Sequence, residues 1–197
     1  MDNESIINEL QECLDNSTVD HNANIMKQDT LKNAHIYCKV NKLSRQVSGP
    51  LIENYIKVKY NMKKNMASSC TGDLLQWGTT NMEVKISNGG KDCNRFNYVQ
   101  IRMNHNCDYL FTAYYLCTSN LIKLGELFIF KISKEELKIL ILKHGSYAHG
   151  TKKKLGPITL DDLNDTENSK EYSLRPKFND SLWKLLQNYR VDDVKTY

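Results

Sequence analysis

The chain opens with apolar residues at helical spacing, and this pattern predicts three helices before any strand. One helix is expected over residues 4–14 and a longer one over roughly 23–43. A third begins in the stretch SGPLIENYIKVKY, where Ser48 is placed to cap the helix and Pro50 to lie near its first turn. The residues of this third helix that we expect to face the core are Leu51, Ile52, Tyr55 and Ile56.

From residue 73 the pattern changes to short runs rich in β-branched and aromatic residues, bounded by Gly, Asn or Asp. Such runs predict strands. The five predicted strands cover residues 73–77, 81–87, 97–103, 109–117 and 125–133. Some runs alternate and others are apolar throughout, which is typical of strands in a central sheet that is covered on both faces.

Two further helices are predicted after the strands. Ser133, followed three positions later by Glu136, forms a capping-box signature, and Gly145 ends the apolar pattern that follows. Residues 157–176 are polar and predict a loop, and the amphipathic stretch 179–189 predicts the last helix. Helices on either side of a run of strands indicate a single α/β domain over residues 1–197, with a central mixed β-sheet flanked by helices.

The composition is typical of an intracellular globular protein. The 197 residues are 40% apolar and 25% charged, a length and balance that allow one continuous core. No apolar run approaches the roughly eighteen residues of a membrane span, and the N-terminus is acidic where a secretory signal is basic. The six cysteines form no CxxC pair and no zinc-finger spacing with histidine, so we expect free thiols in a reducing, cytoplasmic compartment.

The net charge of +4 hides a strong segregation of charge along the chain. Residues 35–154 hold nineteen basic and eight acidic side chains, a net +11, whereas residues 1–34 carry −5 and residues 155–197 carry −2. A basic middle indicates a polyanionic partner, because each phosphate that is neutralised releases counterions. A lysine-rich solvated surface is the alternative explanation on charge alone.

Two carboxylates and a lysine coincide with the first two predicted strands. Asp73 begins the first strand, and Glu83 and Lys85 point to one face of the second because side chains alternate along a strand. Mg²⁺-dependent cleavage of a phosphodiester uses carboxylate ligands for the ion and a lysine that orients or deprotonates the attacking water. Glu53 on the preceding helix is a candidate outer acid, and Gln100 on the following strand is a candidate brace for Lys85 or the water. The alternatives are a surface hairpin with an exposed charge pair and, for Gln100, a neutral cross-strand pair.

The order of these residues resembles that of the PD-(D/E)xK nuclease superfamily: a helix with an acid, then Asp73, then a strand with an acid-x-Lys triplet, then further strands. The resemblance implies a restriction-endonuclease-like fold in which Asp73 and Glu83 bind Mg²⁺ and Lys85 lies at the attacking water. Gly72 stands where the family name has proline, a position that is often replaced in the family. The chain is small and has no GxxxxGK[ST] loop for ATP, so within the superfamily it looks most similar to a type II restriction endonuclease.

The segment GSYAHGTKKKLGPIT is the candidate DNA contact, and it is also similar to a segment of some restriction enzymes of this group. Lys152, Lys153 and Lys154 suit phosphates, whereas His149 and Thr151 have directional donors and acceptors for base edges. An exposed lysine-rich loop without DNA contact is the alternative. The domain then divides into an N-terminal helical part (1–46), a catalytic core (47–145), and a DNA-contact loop with a C-terminal helix (146–197).

Three classes of function fit these observations. The first is a Mg²⁺-dependent, sequence-specific endonuclease of double-stranded DNA, a type II restriction enzyme with a cognate DNA methyltransferase as its genetic partner. A palindromic target would favour a two-fold homodimer. The second is a repair or junction-resolving nuclease of the same superfamily, and the third is a non-catalytic DNA-binding protein. The presence of Asp73, Glu83 and Lys85 together favours an enzyme over the third class.

Overall fold

The structure of the protein, a computed structural model, describes residues 19–64, 75–77, 79–89, 94–116 and 125–194. The helix predicted over residues 4–14 lies outside this part of the chain. The described helices are α1 (His21–Met26), α2 (Leu31–Val40), α3 (Arg45–Lys59), α4 (Lys134–His144), α5 (Lys152–Leu155), α6 (Leu160–Asn164) and α7 (Ser181–Leu186), the last followed by a 3-10 turn. The strands are β1 (Lys63–Lys64), β2 (Leu75–Trp77), β3 (Thr80–Ser87), β4 (Tyr98–Arg102), β5 (Asp108–Tyr115), β6 (Glu126–Ile132), β7 (Ser146–Tyr147), β8 (Glu171–Leu174) and β9 (Arg190–Val191).

A mixed six-stranded sheet forms the centre of the fold, in the order β1-β2-β3-β5-β6-β9. Strands β3 and β5 run parallel, and every other neighbouring pair is antiparallel. The edge strands β1 and β9 have two residues each, so the sheet depends on the four longer strands between them. The predicted mixed α/β architecture is confirmed, and β5 is its central strand, with six consecutive buried residues.

A second sheet of three antiparallel strands, in the order β4-β8-β7, packs on the first. The prediction of one central sheet that includes β4 is therefore wrong. The predicted loop over residues 157–176 is also wrong, because it contains the helix α6 and the strand β8. Strand β8 is short, and its apolar residues Tyr172 and Leu174 alternate with the polar residues Glu171 and Ser173, so its sequence lacks the apolar run by which strands were identified.

Two apolar cores lie on opposite faces of the large sheet. On one face the helices α1, α2 and α3 pack against residues such as Met82 of β3 and Leu110 of β5. On the other face the second sheet and the helices α4 and α7 pack against residues such as Phe111 of β5. The rings of Tyr98 on β4 and Phe111 stack with their centroids 4.3 Å apart, which joins the two sheets directly.

The N-terminal helices differ from the prediction in their boundaries. The single helix expected over 23–43 is two helices, because Thr30 starts a new one by accepting a hydrogen bond from the backbone N–H of Asn33 at 3.1 Å. Helix α3 begins one turn earlier than predicted, so Ser48 lies inside it and Pro50 is an internal residue. Ser48 is buried and its backbone N–H donates to the carbonyl of Ser44 at 2.8 Å.

The later helices agree with the prediction. Ser133 and Glu136 form the expected capping box at the start of α4, and Gly145 is its C-terminal cap. Gly145 is extended rather than left-handed, and glycine is needed there for space: a Cβ would lie 2.5 Å from the carbonyl oxygen of Ile141. Helix α7 and its 3-10 turn occupy the predicted stretch 179–189.

Among the helices that the structure describes, none combines the length and the apolar character needed to cross a bilayer. Of the described cysteines, Cys38 and Cys107 are buried free thiols, as the cysteine spacing predicted. Burial raises the pKa of the Cys38 thiol to about 11, so this side chain behaves as a small apolar group.

A buried histidine in the helical core gives the fold a pH dependence. His35 is fully buried, stacks on Tyr114, and its Nδ1 lies 2.5 Å from Oδ1 of Asn88. Desolvation lowers the pKa of His35 from 6.5 to about 4, against a smaller opposing effect of the Asn88 hydrogen bond. The unfolded chain therefore takes up a proton at this residue between these two pH values, and the free energy of unfolding decreases as the pH falls.

We expect the His35 contribution to lower the free energy of unfolding by about 2 kcal/mol between pH 8 and pH 5. Denaturant unfolding of the wild type and of His35→Gln at both pH values measures it. Because Gln can still pair with Asn88 but does not titrate, the variant should lose about that much of the pH dependence, whatever its stability at pH 8. An equal pH dependence in both proteins would contradict the assignment.

Candidate active site

The alternation of β3 separates its charged residues from its apolar ones. Met82 is buried against the N-terminal helices, and Val84 packs in the same core. Glu83 and Lys85 point to the opposite face, towards the second sheet. In the parallel register Glu83 lies beside Tyr109 of β5, whose side chain belongs to the core on that face. The predicted placement of acid and amine on one face of a strand is thus present.

Glu83 and Lys85 form a close ion pair on this face. Nζ of Lys85 lies 2.7 Å from Oε1 of Glu83, and the two side chains are only 20% (Glu83) and 16% (Lys85) exposed. A charge pair on a surface hairpin would be far more open to solvent, so the pair is not the exposed one that was the alternative. Two residues further along, Oγ of Ser87 accepts a hydrogen bond from the backbone N–H of Asn97 at 3.0 Å, which holds the chain that leaves β3.

His105 completes this cluster, and sequence reasoning missed it. It lies in the turn between β4 and β5, is 5% exposed, and places Nδ1 3.8 Å from Oε2 of Glu83. The sequence signal was a histidine immediately before a buried strand, but its meaning depends on the parallel pairing that returns this turn to Glu83.

The electrostatic environment of His105 favours the neutral imidazole. Desolvation is the largest effect and lowers its pKa below the usual value. The nearby Glu83 carboxylate raises the pKa, while the positive charges of Arg102 and Lys85 lower it. Nδ1 of His105 is buried without a hydrogen-bond partner among the described residues, so its lone pair or proton is uncompensated in the structure.

Tyr109 of β5 and Cys107, which lies just before that strand, are the buried neighbours of the cluster. The hydroxyl of Tyr109 donates to the carbonyl of Arg102 at 2.7 Å, which fixes the end of β4 against β5. Cys107 is buried beside it, and burial together with the Glu83 charge raises the pKa of its thiol to about 12. At neutral pH Cys107 is therefore a protonated thiol and a poor nucleophile.

A chain of polar contacts connects this cluster with the predicted DNA-contact segment. Nε of Arg102 donates to Oε1 of Glu171 on β8 at 2.8 Å, and Nε2 of His149 lies 3.3 Å from the other oxygen of Glu171. The backbone N–H of His105 lies 3.4 Å from the carbonyl of Arg102. Arg102, at the end of β4, thus contacts the His105 turn through its backbone and the neighbouring strand β8 through its side chain.

The predicted DNA-contact segment is exposed from His149 to Leu155. His149, Thr151 and the three lysines Lys152, Lys153 and Lys154 are all exposed, and the lysines lie in the one-turn helix α5 rather than in the predicted loop. Gly150 has a φ of +88°, and a Cβ there would lie 2.9 Å from Cδ1 of Leu155. Glycine therefore lets Leu155 fold back and close the turn that presents the lysines.

Gln100 lies with this segment rather than with Lys85. It occupies a bulge in β4 with a φ of +56°, and it is exposed. Together with His149, Tyr147 and Glu171 it lines a depression of about 410 Å³. No hydrogen bond joins Gln100 to Lys85 in the described residues, so the expected bracing contact is not made.

The two remaining predicted site residues are Asp73 and Glu53. Asp73 lies outside the described residues. Glu53 is partly buried on α3, the helix that packs against the face of β3 opposite to that of Glu83 and Lys85. In the part of the chain that the structure describes, no cluster of three or more acidic, histidine or cysteine side chains is arranged to hold a metal ion.

Comparison with other proteins gives no further assignment. No family model, no curated protein and no solved structure matches the chain.

We expect the charges of the Glu83–Lys85 pair to set the pKa of His105 in opposite directions. In metal-free protein, Glu83→Gln removes an attractive charge and should lower the pKa of His105 further, whereas Lys85→Met removes a repulsive charge and should raise it. Titration of the imidazole signals by NMR measures both shifts, and His144 at the end of α4 is the internal reference. Identical titrations of His105 in the three proteins would mean that the cluster is not assembled in solution.

Proposed function

We propose that the protein is a Mg²⁺-dependent, sequence-specific endonuclease of double-stranded DNA, a phosphodiester hydrolase of the type II restriction kind. The observation that carries the proposal is the close pair of Glu83 and Lys85 on one shielded face of a central strand, with a third polar side chain, His105, beside it. The basic balance of residues 35–154 supports a polyanionic substrate. The proposal extends to a restriction-endonuclease-like core, a homodimer and a cognate methyltransferase as genetic partner.

The residues present fit a hard divalent ion in their donor chemistry. Glu83 would hold the ion together with Asp73, as the resemblance implies. When bound, Mg²⁺ supplies a Lewis acid that polarises the phosphoryl oxygen and lowers the pKa of its water. Oε2 of Glu83 accepts no hydrogen bond of normal length from the described residues, while Oε1 is held by Lys85.

Lys85 would stabilise the developing negative charge and orient the attacking water. Its Nζ lies at the edge of the carboxylate, 2.7 Å from Oε1 of Glu83, and its side chain is mostly shielded from water. An ammonium in a shielded site offsets the negative charge that develops on phosphate oxygens, and it can orient the attacking water by hydrogen bonding. Glu83 keeps this ammonium in one place before substrate arrives, so less ordering is needed in the reaction.

The segment around α5 supplies a surface for the substrate. Lys152, Lys153 and Lys154 project from an exposed turn between Gly150 and Gly156, and no acidic residue lies in that turn. His149 contacts Glu171 and so lies at the start of the polar chain that leads to His105. Phosphates bound at the lysines would therefore place DNA on the same side of the second sheet as that chain.

We expect Lys85→Met, Glu83→Gln and Asp73→Asn each to reduce cleavage by on the order of 10³-fold or more, because each removes a group that acts mainly in the transition state. The assay is digestion of a long DNA duplex of known sequence by purified protein with Mg²⁺, and excess EDTA should abolish it. Discrete fragments indicate a site-specific endonuclease, whereas cleavage of branched DNA alone indicates a junction-resolving nuclease.

The matched controls are Lys143→Met and Glu167→Gln, which change exposed residues away from the cluster and should retain wild-type rates. Thermal unfolding confirms that each variant is folded. Near wild-type cleavage by folded Lys85→Met would refute the site. Binding of duplex DNA without cleavage of any substrate would favour a non-catalytic DNA-binding protein.

We expect the two kinds of residue in the α5 segment to affect DNA binding differently. Lys153→Ala removes a flexible point charge, so it should weaken binding to every sequence and make the salt dependence shallower by about one unit. Thr151→Val removes a directional group, so it should cost roughly 1–3 kcal/mol on the cleaved site and little on a scrambled duplex. Titrations at several salt concentrations, with Ca²⁺ in place of Mg²⁺, measure both effects.

Lys184→Ala on α7 is the control for a generic loss of positive charge. If Lys153→Ala changes affinity and salt dependence no more than this control does, the α5 segment is not the DNA surface. The lysines of α3, at Lys57 and Lys59, are then the next candidates.

A further inference from the structure

We infer that His105 is a protein ligand of the cation bound at Glu83, so that this site takes a transition-metal ion such as Mn²⁺ in preference to Mg²⁺. The inference rests on the proposed metal-dependent function of Glu83, and it adds a nitrogen donor that neither the sequence pattern nor the resemblance assigns. It is argued from the position, burial and unsatisfied state of one side chain.

The distance between the two side chains fits a shared ion better than a direct contact. Nδ1 of His105 lies 3.8 Å from Oε2 of Glu83. This is too long for a hydrogen bond, whose length is about 2.7–3.2 Å. Two donors that each lie about 2.1 Å from one small divalent ion are separated by at most about 4.2 Å. A separation of 3.8 Å therefore lies within the range that one ion ligated by both side chains can span.

The unsatisfied state of His105 points in the same direction. Its side chain is 6% exposed, and Nδ1 has no hydrogen-bond partner in the described part of the chain. A buried polar atom without a partner destabilises a fold, and such atoms in native proteins commonly mark a bound ion, a water or a functional group. Oδ1 of Asn104, in the same turn, is also buried without a partner.

The turn that carries His105 is held from several sides, so the imidazole is positioned before any ion binds. The backbone N–H of His105 contacts the carbonyl of Arg102, which also accepts the hydroxyl of Tyr109. The neighbours Met103 and Cys107 are both buried in the core. A donor held in this way adds affinity because little freedom remains to be lost on binding.

One of the two carboxylate oxygens of Glu83 is left for the ion. Oε1 is paired with Lys85 at 2.7 Å, and Oε2 faces His105. One carboxylate oxygen and one imidazole nitrogen form a mixed donor set. Imidazole is a typical ligand of the first-row ions from Fe²⁺ to Zn²⁺, and Mn²⁺, the hardest of the series, still accepts it more readily than Mg²⁺, which strongly prefers oxygen. A mixed donor set therefore shifts selectivity towards the transition metals.

The experiment measures metal binding without DNA. Calorimetric titration of the wild type with Mn²⁺ and with Mg²⁺ should show tighter binding of Mn²⁺. His105→Gln should weaken Mn²⁺ binding by at least about tenfold and Mg²⁺ binding by less, so that the ratio of the two affinities falls. His144→Gln removes a histidine from the end of α4 and should leave both affinities unchanged.

A spectroscopic measurement on the wild type makes the test independent of how the variant folds. Pulsed EPR of Mn²⁺-loaded protein should show coupling to an imidazole nitrogen, and this coupling should disappear in His105→Gln but persist in His144→Gln. Mn²⁺ binding that is lost in Glu83→Gln, with no nitrogen coupling in the wild type, would overturn the role of His105 and leave the proposed function standing. If Glu83→Gln instead binds Mn²⁺ and Mg²⁺ as tightly as the wild type does, Glu83 is not a metal ligand and the proposed function itself is refuted.

Discussion

The parallel pairing of β3 with β5 is the constraint on which the candidate site depends. Parallel neighbours cannot be joined by a tight turn, so the chain must leave the sheet after β3 and return to the start of β5. Here the crossover contains β4, a strand of the second sheet, and ends in the turn that carries His105. The same pairing register puts Glu83 beside the first residues of β5, which is where that turn arrives.

The two cores make this arrangement rigid. Strand β5 is buried on both faces, between the N-terminal helices and the second sheet, so neither it nor β3 can move without disturbing both. The aromatic residues of the second core, including Trp183 stacked on Phe96 at 4.7 Å, fill the space between the sheets.

Much of the fold could be predicted from local patterns, and the errors have one physical cause. The five predicted strands match β2 to β6 to within two residues at each end, and the capping box of α4 was identified correctly, because these signals lie within a few residues of one another. Strand β8 was missed because its stability comes from pairing with β4 and β7, which are distant in sequence. Propensity is a weak guide where tertiary partners decide the conformation.

The candidate site shows the same limit. Glu83 and Lys85 could be placed on one face from alternation alone, and their contact agrees with that expectation. His105 could not be placed, because its distance from Glu83 is set by the crossover and not by spacing. Gln100 was expected beside Lys85 because both were assigned to one sheet, whereas β4 belongs to the other sheet and directs Gln100 towards His149.

The ion pair between Lys85 and Glu83 has a consequence for any cation that arrives at this carboxylate. The ammonium is tethered two residues away, so its effective concentration at Oε1 is far above that of a free ion and does not fall on dilution. An incoming cation must compete with it, or share the carboxylate by using the other oxygen. Where the ammonium is displaced, it becomes a free positive charge inside a shielded site, and a phosphate is the partner best suited to receive it. In the absence of substrate, the Lys85 ammonium thus competes with any cation for the Glu83 carboxylate. Its displacement would favour the binding of a cation and a polyanion together.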